Sequence, residues 1–210
     1  MRILASLLLV FLATARLSAA VDPLSSEDLQ KATELLAAAS AGQEGLALKP
    51  ELDRAGAQGF KAEGAGVIVI PDKNLSADKT AMKEEAKKAG KGGTIPAGEL
   101  WLLGLTPKKD GSVVASEKLR HIKVTAKDKE MELTMYRLGI VRGAKREFSL
   151  VLYGKDSTTP VLTLPLQMST EGGSAKISVT GRREGEDSGI VTLNLAGQFK
   201  AELPVGPAAN

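Results

Sequence analysis

The chain contains no cysteine among its 210 residues. Without thiols it has no thiolate nucleophile, no disulfide, no thiol for a lipid anchor and no Cys-ligated zinc or iron–sulfur centre. Burial of apolar surface must therefore hold the fold together, and a chain of this length can build a sufficient core without covalent cross-links.

Aromatic residues make up only 3% of the sequence. Proteins that bind bases or sugar rings through stacking need several exposed aromatic faces. So few aromatic side chains disfavour a stacking platform for carbohydrate or single-stranded nucleic acid. The aromatic residues are Phe11, Phe60, Trp101, Tyr136, Phe148, Tyr153 and Phe199.

Histidine occurs once, as His121. Any Ser-His-Asp mechanism or histidine-ligated metal site would have to use this residue. Its neighbours Lys118, Arg120 and Lys123 are cationic, and the predicted strand pairing places no carboxylate beside the ring. The G-x-S-x-G and H-E-x-x-H motifs are absent as well. We therefore expect an exposed strand histidine and assign no catalytic residue.

The first twenty residues have the pattern of a secretory signal. A positive start at Arg2 precedes an apolar stretch over residues 3–13, and small residues at 18–20 precede Val21. This pattern predicts cleavage near Ala20 and export to the periplasm or the extracellular space. No later apolar run approaches the roughly 20 residues of a spanning helix, so no membrane span is expected.

Net charge argues against a general nucleic-acid binder. The precursor carries 28 Lys and Arg against 25 Asp and Glu. Loss of Arg2 and Arg16 with the signal would leave a formal charge of about +1. The basic isoelectric point of the precursor therefore says little about the partner of the mature chain.

Two loops have compositions that are found in ligand sites. The glycine-rich segment 90–94 follows a predicted helix and lacks G-x-x-x-x-G-K-[ST], whereas a phosphate loop opens into a helix. The loop 184–189 gathers three acids but lacks the spacing of a calcium loop and lies beside Arg182 and Arg183. We expect turns at both places, with no metal and no cofactor.

Residues 21–107 predict an N-terminal helix followed by a small mixed α/β lead segment. Ser25 and Asp28 form an S-x-x-D capping box, apolar residues recur at helical spacing, and Gly42 ends the helix. The other elements predicted in this segment are strands at 46–48, 67–70 and 99–105 and a solvent-exposed helix over 76–89.

Residues 108–210 predict an antiparallel β-sandwich, Ig-like or similar, because about seven apolar-patterned strands are separated by turn residues. The chain as a whole is thus expected to be mainly β, with the helix and the mixed segment preceding the sandwich. The predicted strands span residues 118–126, 131–141, 146–153, 160–168, 175–183, 189–196 and 198–205.

Side-chain alternation also predicts how three of the hairpins pair, because each inward residue should meet another inward residue. The inward set changes parity after Met135, which predicts a β-bulge there. Pro165 predicts an edge or bulged strand. The predicted pairs are Ile122 with Met135, Val124 with Leu133, Ala126 with Met131, Leu150 with Leu164, Leu152 with Leu162, Ile177 with Leu193 and Val179 with Val191.

A basic surface is the one candidate binding site that the sequence offers. It comprises Lys118, Arg120, His121, Lys123 and Lys127 on the first predicted hairpin. An acidic envelope polymer or a protein would fit such a face. The alternative is a solvated sheet face whose lysines oppose edge-to-edge aggregation.

Together these features predict an exported, non-catalytic β-sandwich that acts as a binding or structural, accessory module of the cell envelope or extracellular space. The alternative is a secreted hydrolase that uses carboxylates or a Ser/Lys pair whose positions the sequence does not reveal.

Overall fold

The computed structural model describes residues 21–76, 78–89, 93–126, 129–143, 147–170 and 173–208. The predicted signal at 1–20, most of the glycine-rich segment 90–94, and Lys127 lie outside these residues. In the described part of the chain, no helix is both long and apolar enough to cross a membrane.

Helix α1 (Ser26–Ala41) begins and ends where the sequence predicts. The Ser25 hydroxyl accepts the Asp28 amide at 3.1 Å and donates to the Asp28 carboxylate at 2.9 Å, and Gly42 follows the last turn. The Ser25 side chain thus caps the helix as predicted, which stabilises the helix start by about 1 kcal/mol. The Asp28 carboxylate accepts from the Ser25 hydroxyl and not, as in a full capping box, from the Ser25 backbone N–H.

Helix α2 (Lys79–Lys88) starts later than predicted, because Asp78 rather than Ser76 caps it. The Asp78 carboxylate accepts the amides of Thr80 and Ala81, each at 2.8 Å. Most of its described side chains are exposed or half-buried, but Met82 is fully buried in the sandwich core. Among the described side chains of α2, Met82 is therefore the one that anchors the helix in the core.

The strands form two antiparallel sheets that pack as a sandwich, which confirms the predicted fold class. The first sheet has the order β1-β2-β3-β4-β8-β9-β10, with β7 also on β8, and the second has the order β12-β13-β14-β5-β6, with β11 on β14. The strands are β1 (Asp22–Pro23), β2 (Gln58–Ala62), β3 (Ala65–Pro71), β4 (Thr94–Leu103), β5 (Leu105–Lys109), β6 (Ser112–Val113), β7 (Arg120–Ala126), β8 (Lys129–Arg142), β9 (Phe148–Tyr153), β10 (Leu162–Pro165), β11 (Gln167–Met168), β12 (Ile177–Arg183), β13 (Gly189–Leu195) and β14 (Phe199–Pro207).

The centre of the first sheet, where β4 pairs with β8, is buried on both of its faces. Tyr136 and Leu138 of β8 face the second sheet in the main core, whereas Leu133 and Met135 pack toward α1 in a second apolar cluster that contains Leu36. Two-sided burial thus explains the change of parity along β8. The bulge predicted at Met135 is wrong, because the pairing of β4 with β8 is regular there.

The irregularity lies instead on β4, between Pro96 and Gly98. Gly98 has a φ of 136°, and a Cβ at this position would lie 2.2 Å from the Ile70 carbonyl oxygen. Only glycine fits this close approach, so the sequence signal for the bulge was the glycine within a strand.

One predicted hairpin register is confirmed and two are wrong by two residues. Leu150 pairs with Leu164 as predicted, and Pro165 lies at the end of the edge strand β10. In the other two hairpins the observed partner of each residue is shifted by two positions, which keeps every side chain on its predicted face. The observed pairs are Ile122 with Leu133, Val124 with Met131, Ala126 with Lys129, Ile177 with Leu195 and Val179 with Leu193.

The lead segment contains two strands that the sequence did not predict, β1 and β2, and lacks one that it did predict. Strand β2 has only Phe60 fully buried, so its apolar signal is weak. Residues 46–48 are not a strand; Ala47 instead packs against Val151 and Tyr153. Strand β4 pairs with both β3 and β8, which places the lead strands in the same sheet as β7 to β10.

Candidate functional site

A cleft of about 660 Å³ opens between the C-terminal half of α1 and the segment that precedes β2. Because α1 covers one face of the first sheet, the sheet forms the floor of this cleft. The lining residues are Ala37, Ser40, Ala41, Pro50, Glu51, Leu52, Asp53, Arg54, Ala55, Lys73 and Arg137.

A buried ion pair lies at the floor of the cleft. Glu99 on β4 and Arg137 on β8 are direct cross-strand partners, with Nη1 2.9 Å from Oε1. The same carboxylate accepts from the Ser40 hydroxyl and, at 3.0 Å, from the Trp101 indole N–H, while Arg137 also donates to Ser40 at 2.9 Å. This network ties α1 to the sheet.

Arg137 is incompletely satisfied within this network. Its Nε is buried and has no hydrogen-bond partner among the described residues. Burial lowers the pKa of the guanidinium, while the charge of Glu99 opposes that shift. The cleft floor therefore presents a fixed cation whose charge is balanced by a carboxylate beneath α1.

The wall of the cleft is held in place by Asp72, which is buried. Its carboxylate accepts the amides of Glu51 at 2.7 Å and of Asn74 at 2.6 Å, and this fixes the 50–55 segment beside the end of β3. Lys176 lies 3.0 Å from Asp53, and this hydrogen bond lowers the pKa of the Asp53 carboxyl. Both ends of the wall are thus anchored through side chains.

Two cations on the wall have no such partner. The exposed side chains of Arg54 and Lys73 make no hydrogen bond or ion pair with any residue that the structure describes, although the charge of Lys73 also lowers the pKa of Asp53. The exposed carboxylate of Glu51 is likewise unpaired within the described ranges. With Asp53 and Arg137 each neutralised by its own partner, the cleft carries one uncompensated positive charge.

The five residues of the predicted basic surface do not form a single face. Arg120 lies on the same side of β7 as Ile122, where its guanidinium donates to the backbone carbonyls of Glu44, Gly45, Gly154 and Lys155 at 3.1 to 3.4 Å. Its role is to join two loops. Lys118 lies in a 3₁₀ turn over Ser116–Lys118, and Lys127 lies outside the described residues.

His121 and Lys123 do share the exposed face of β7, but carboxylates face them. Glu130 lies 2.7 Å from the Lys123 ammonium, and Glu132 lies 3.1 Å from His121 Nδ1. The expectation that no carboxylate orients His121 is therefore wrong. The Ser116 hydroxyl lies 2.9 Å from His121 Nε2 on the other side of the ring.

Two arginines at the end of β12 contact the acidic loop between β12 and β13. Arg182 pairs with Glu184 and Glu202, each at 3.1 Å, and Arg183 donates to the carbonyls of Gly185 and Glu186. Across the described ranges, no group of three or more Asp, Glu or His side chains is arranged to hold a metal ion.

A second cleft, of about 410 Å³, lies where β2 and β5 approach the β12–β13 hairpin and is mainly apolar. Val21, Phe60 and Val205 contribute to its lining. Both arginines of its lining are engaged, because Arg182 is paired with Glu184 and Glu202 and Arg183 donates to the carbonyls of Gly185 and Glu186. Charge-based recognition therefore favours the cleft beside α1.

We found no match to this chain among protein-family models, curated proteins or solved structures.

Proposed function

We propose that the protein is exported and that the cleft beside α1 is a non-catalytic binding site for a sugar acid or a similar hydroxylated carboxylate. The observation that carries this proposal is that Arg54 and Lys73, on the cleft wall, have no side-chain partner among the residues that the structure describes. The secretory pattern of residues 1–20 supports export.

The charges of the cleft suit a monoanion. Arg54 and Lys73 supply two positive charges and Glu51 one negative charge, so the ligand that neutralises the cleft carries a single carboxylate. The Glu51 carboxylate can accept a hydrogen bond from a ligand hydroxyl. A doubly charged phosphate matches this balance less well, and a neutral sugar would leave both cations without a partner.

The size of the cleft is also that of a small-ligand site. Pockets for small ligands usually measure about 300–1,000 Å³ and combine apolar walls with a few polar groups. At about 660 Å³, with Ala37 and Leu52 beside the charged residues, the cleft has room for one or two sugar-acid units. The ligand would be either a free sugar acid or one unit of an acidic envelope polysaccharide.

Binding can be measured by calorimetry with galacturonate and with a short oligogalacturonate, using galactose as the neutral control. The double variant Arg54→Gln/Lys73→Gln should weaken binding by at least about a hundredfold, because each charge-assisted hydrogen bond contributes about 1.5–3 kcal/mol. Added salt should weaken binding to the unmodified protein.

The matched control is Lys61→Gln/Lys109→Gln, which removes two exposed cations outside the cleft. This variant should bind as the unmodified protein does. Binding of monomer and oligomer alike would indicate a small-molecule ligand, and binding of the oligomer alone would indicate the polymer. If neither binds, or if both double variants bind equally well, the proposed function is wrong.

Export is tested separately. N-terminal sequencing of secreted material should give Val21, because the small residues 18–20 precede it at the usual distance from the apolar stretch. A mature protein that still begins at Met1 would refute the signal and the proposed location.

A further inference from the structure

Ser116, His121 and Glu132 are aligned as a nucleophile, a base and an orienting carboxylate. The Ser116 hydroxyl oxygen lies 2.9 Å from His121 Nε2, and Glu132 Oε1 lies 3.1 Å from His121 Nδ1. Both distances are within hydrogen-bond range, and the two partners lie on opposite sides of the ring. The same order of groups activates serine in hydrolases of unrelated folds.

The carboxylate sets the tautomer of the imidazole. An ionised Glu132 can only accept a hydrogen bond, so the neutral ring must carry its proton on Nδ1. Nε2 is then the acceptor, and the Ser116 hydroxyl donates to it. This is the protonation state in which a histidine can take a proton from serine.

The strand register brings this carboxylate into position. Glu132 lies directly opposite Lys123 in the β7–β8 ladder and diagonally opposite His121. Lys123 donates to Glu130 instead, at 2.7 Å, and this leaves Glu132 free to hold the imidazole. Glu130 and Glu132 on β8 thus contact two different side chains on β7, Lys123 and His121.

We propose that Ser116 and His121 are catalytic residues for the hydrolysis of small carboxylic esters, with Glu132 as the positioning residue of His121. Ser116 Oγ bonds to the ester carbonyl carbon while its proton moves to Nε2. The bond to the leaving oxygen then breaks and the alcohol departs with that proton. Water next attacks the acyl-serine, again giving a proton to Nε2, and releases the acid as Ser116 regains its hydrogen.

Solvent exposure limits which substrates the site accepts. The His121 side chain is 35% exposed and that of Glu132 is 55% exposed. Neither of the clefts described above includes these residues, so neither cleft supplies a wall that would select a large acyl group. The site should therefore act on small, activated acyl esters with little discrimination and at modest rates.

The first test is acylation by p-nitrophenyl acetate, with the acetylated residue located by peptide mass spectrometry after acid quenching. Ser116 should acetylate at least about tenfold faster than Ser112, an exposed serine on β6 that serves as the internal control. His121→Gln should remove this advantage, and Glu132→Gln should reduce it. Equal labelling of Ser116 and Ser112, or unchanged labelling in His121→Gln, would overturn the proposal.

The second test is the tautomer of His121, which is simple to assign because the chain has one histidine. Imidazole ¹⁵N NMR above neutral pH should show the proton on Nδ1 in the unmodified protein. In Glu132→Gln the proton should move toward Nε2 while the thermal midpoint stays the same. A proton on Nε2 in the unmodified protein would overturn the proposed role of Glu132. Neither outcome bears on sugar-acid binding, which depends on other residues.

Discussion

The buried pair of Glu99 and Arg137 offers the sharpest test of how α1 is held on the sheet. Arg137→Met would remove the cation but leave the fully buried Glu99 carboxylate with only Ser40 and Trp101 as donors. Removing one partner of a buried ion pair costs about 3–5 kcal/mol, because the remaining charge is neither solvated nor balanced. The total free energy of unfolding of a domain of this size is about 5–15 kcal/mol, so this loss should be easy to measure.

The double variant Glu99→Met/Arg137→Met should be much more stable than either single variant. Both desolvated charges are then absent, and apolar side chains of similar length fill the space above the floor of the cleft. Such replacements are often neutral, but the Trp101 indole N–H and the Ser40 hydroxyl would lose their acceptor here, so we expect a loss of about 2 kcal/mol in the free energy of unfolding. The coupling in this double-mutant cycle measures the pair itself.

Trp101 provides the assay, since it is the only tryptophan, is buried, and donates its indole N–H to Glu99. Urea unfolding followed by its fluorescence gives the free energy of unfolding for all four proteins. Two results would refute the proposed role of the ion pair. One is a decrease of less than about 1 kcal/mol in the free energy of unfolding of Arg137→Met. The other is a double variant whose decrease equals the sum of the decreases in the two single variants.

Two further predictions concern the first sheet and the cleft wall. Val124→Asp should lower the free energy of unfolding by several kcal/mol, since it places an unpaired carboxylate in the cluster beneath α1, whereas Lys123→Glu on the exposed face should lower it far less. Equal losses in urea unfolding would contradict the observed faces. Lys176→Gln should lower the free energy of unfolding by up to about 1 kcal/mol at pH 7 and by less at pH 3, because Lys176 lowers the pKa of Asp53 and this contribution is lost as the pH falls from about 4 through the lowered pKa of the folded protein. A loss that is independent of pH would show that the ion pair does not stabilise the wall.

Local signals in the sequence were sufficient for much of the fold. The capping box at Ser25, the β-branched run at 67–70 and the alternating strands after residue 118 depend on contacts within a few residues. The structure has each of these elements at or near its predicted place. The start of α2 was missed by a few residues because Ser76 and Asp78 are both good caps, and sequence alone does not decide between them.

The cleft could not be predicted in this way, because it depends on pairing between distant strands. Glu99 meets Arg137 only because β4 lies beside β8, although several strands separate them along the chain. No turn sets this register. In the sequence, a glutamate and an arginine on two β-rich segments resemble ordinary surface charges. They are buried because α1 packs over them on the sheet.

The missed carboxylate of His121 has a more specific cause. A strand that slips by two residues keeps every side chain on its own face, so the apolar pattern supports both registers of the β7–β8 hairpin equally well. In the predicted register Glu132 is opposite Thr125, two positions beyond Lys123 and out of reach of His121. In the observed register Glu132 is opposite Lys123 and lies diagonally beside His121. Burial therefore determines which residues face solvent. The register of the ladder determines which exposed side chains are in contact, and chemistry on a sheet face depends on those contacts.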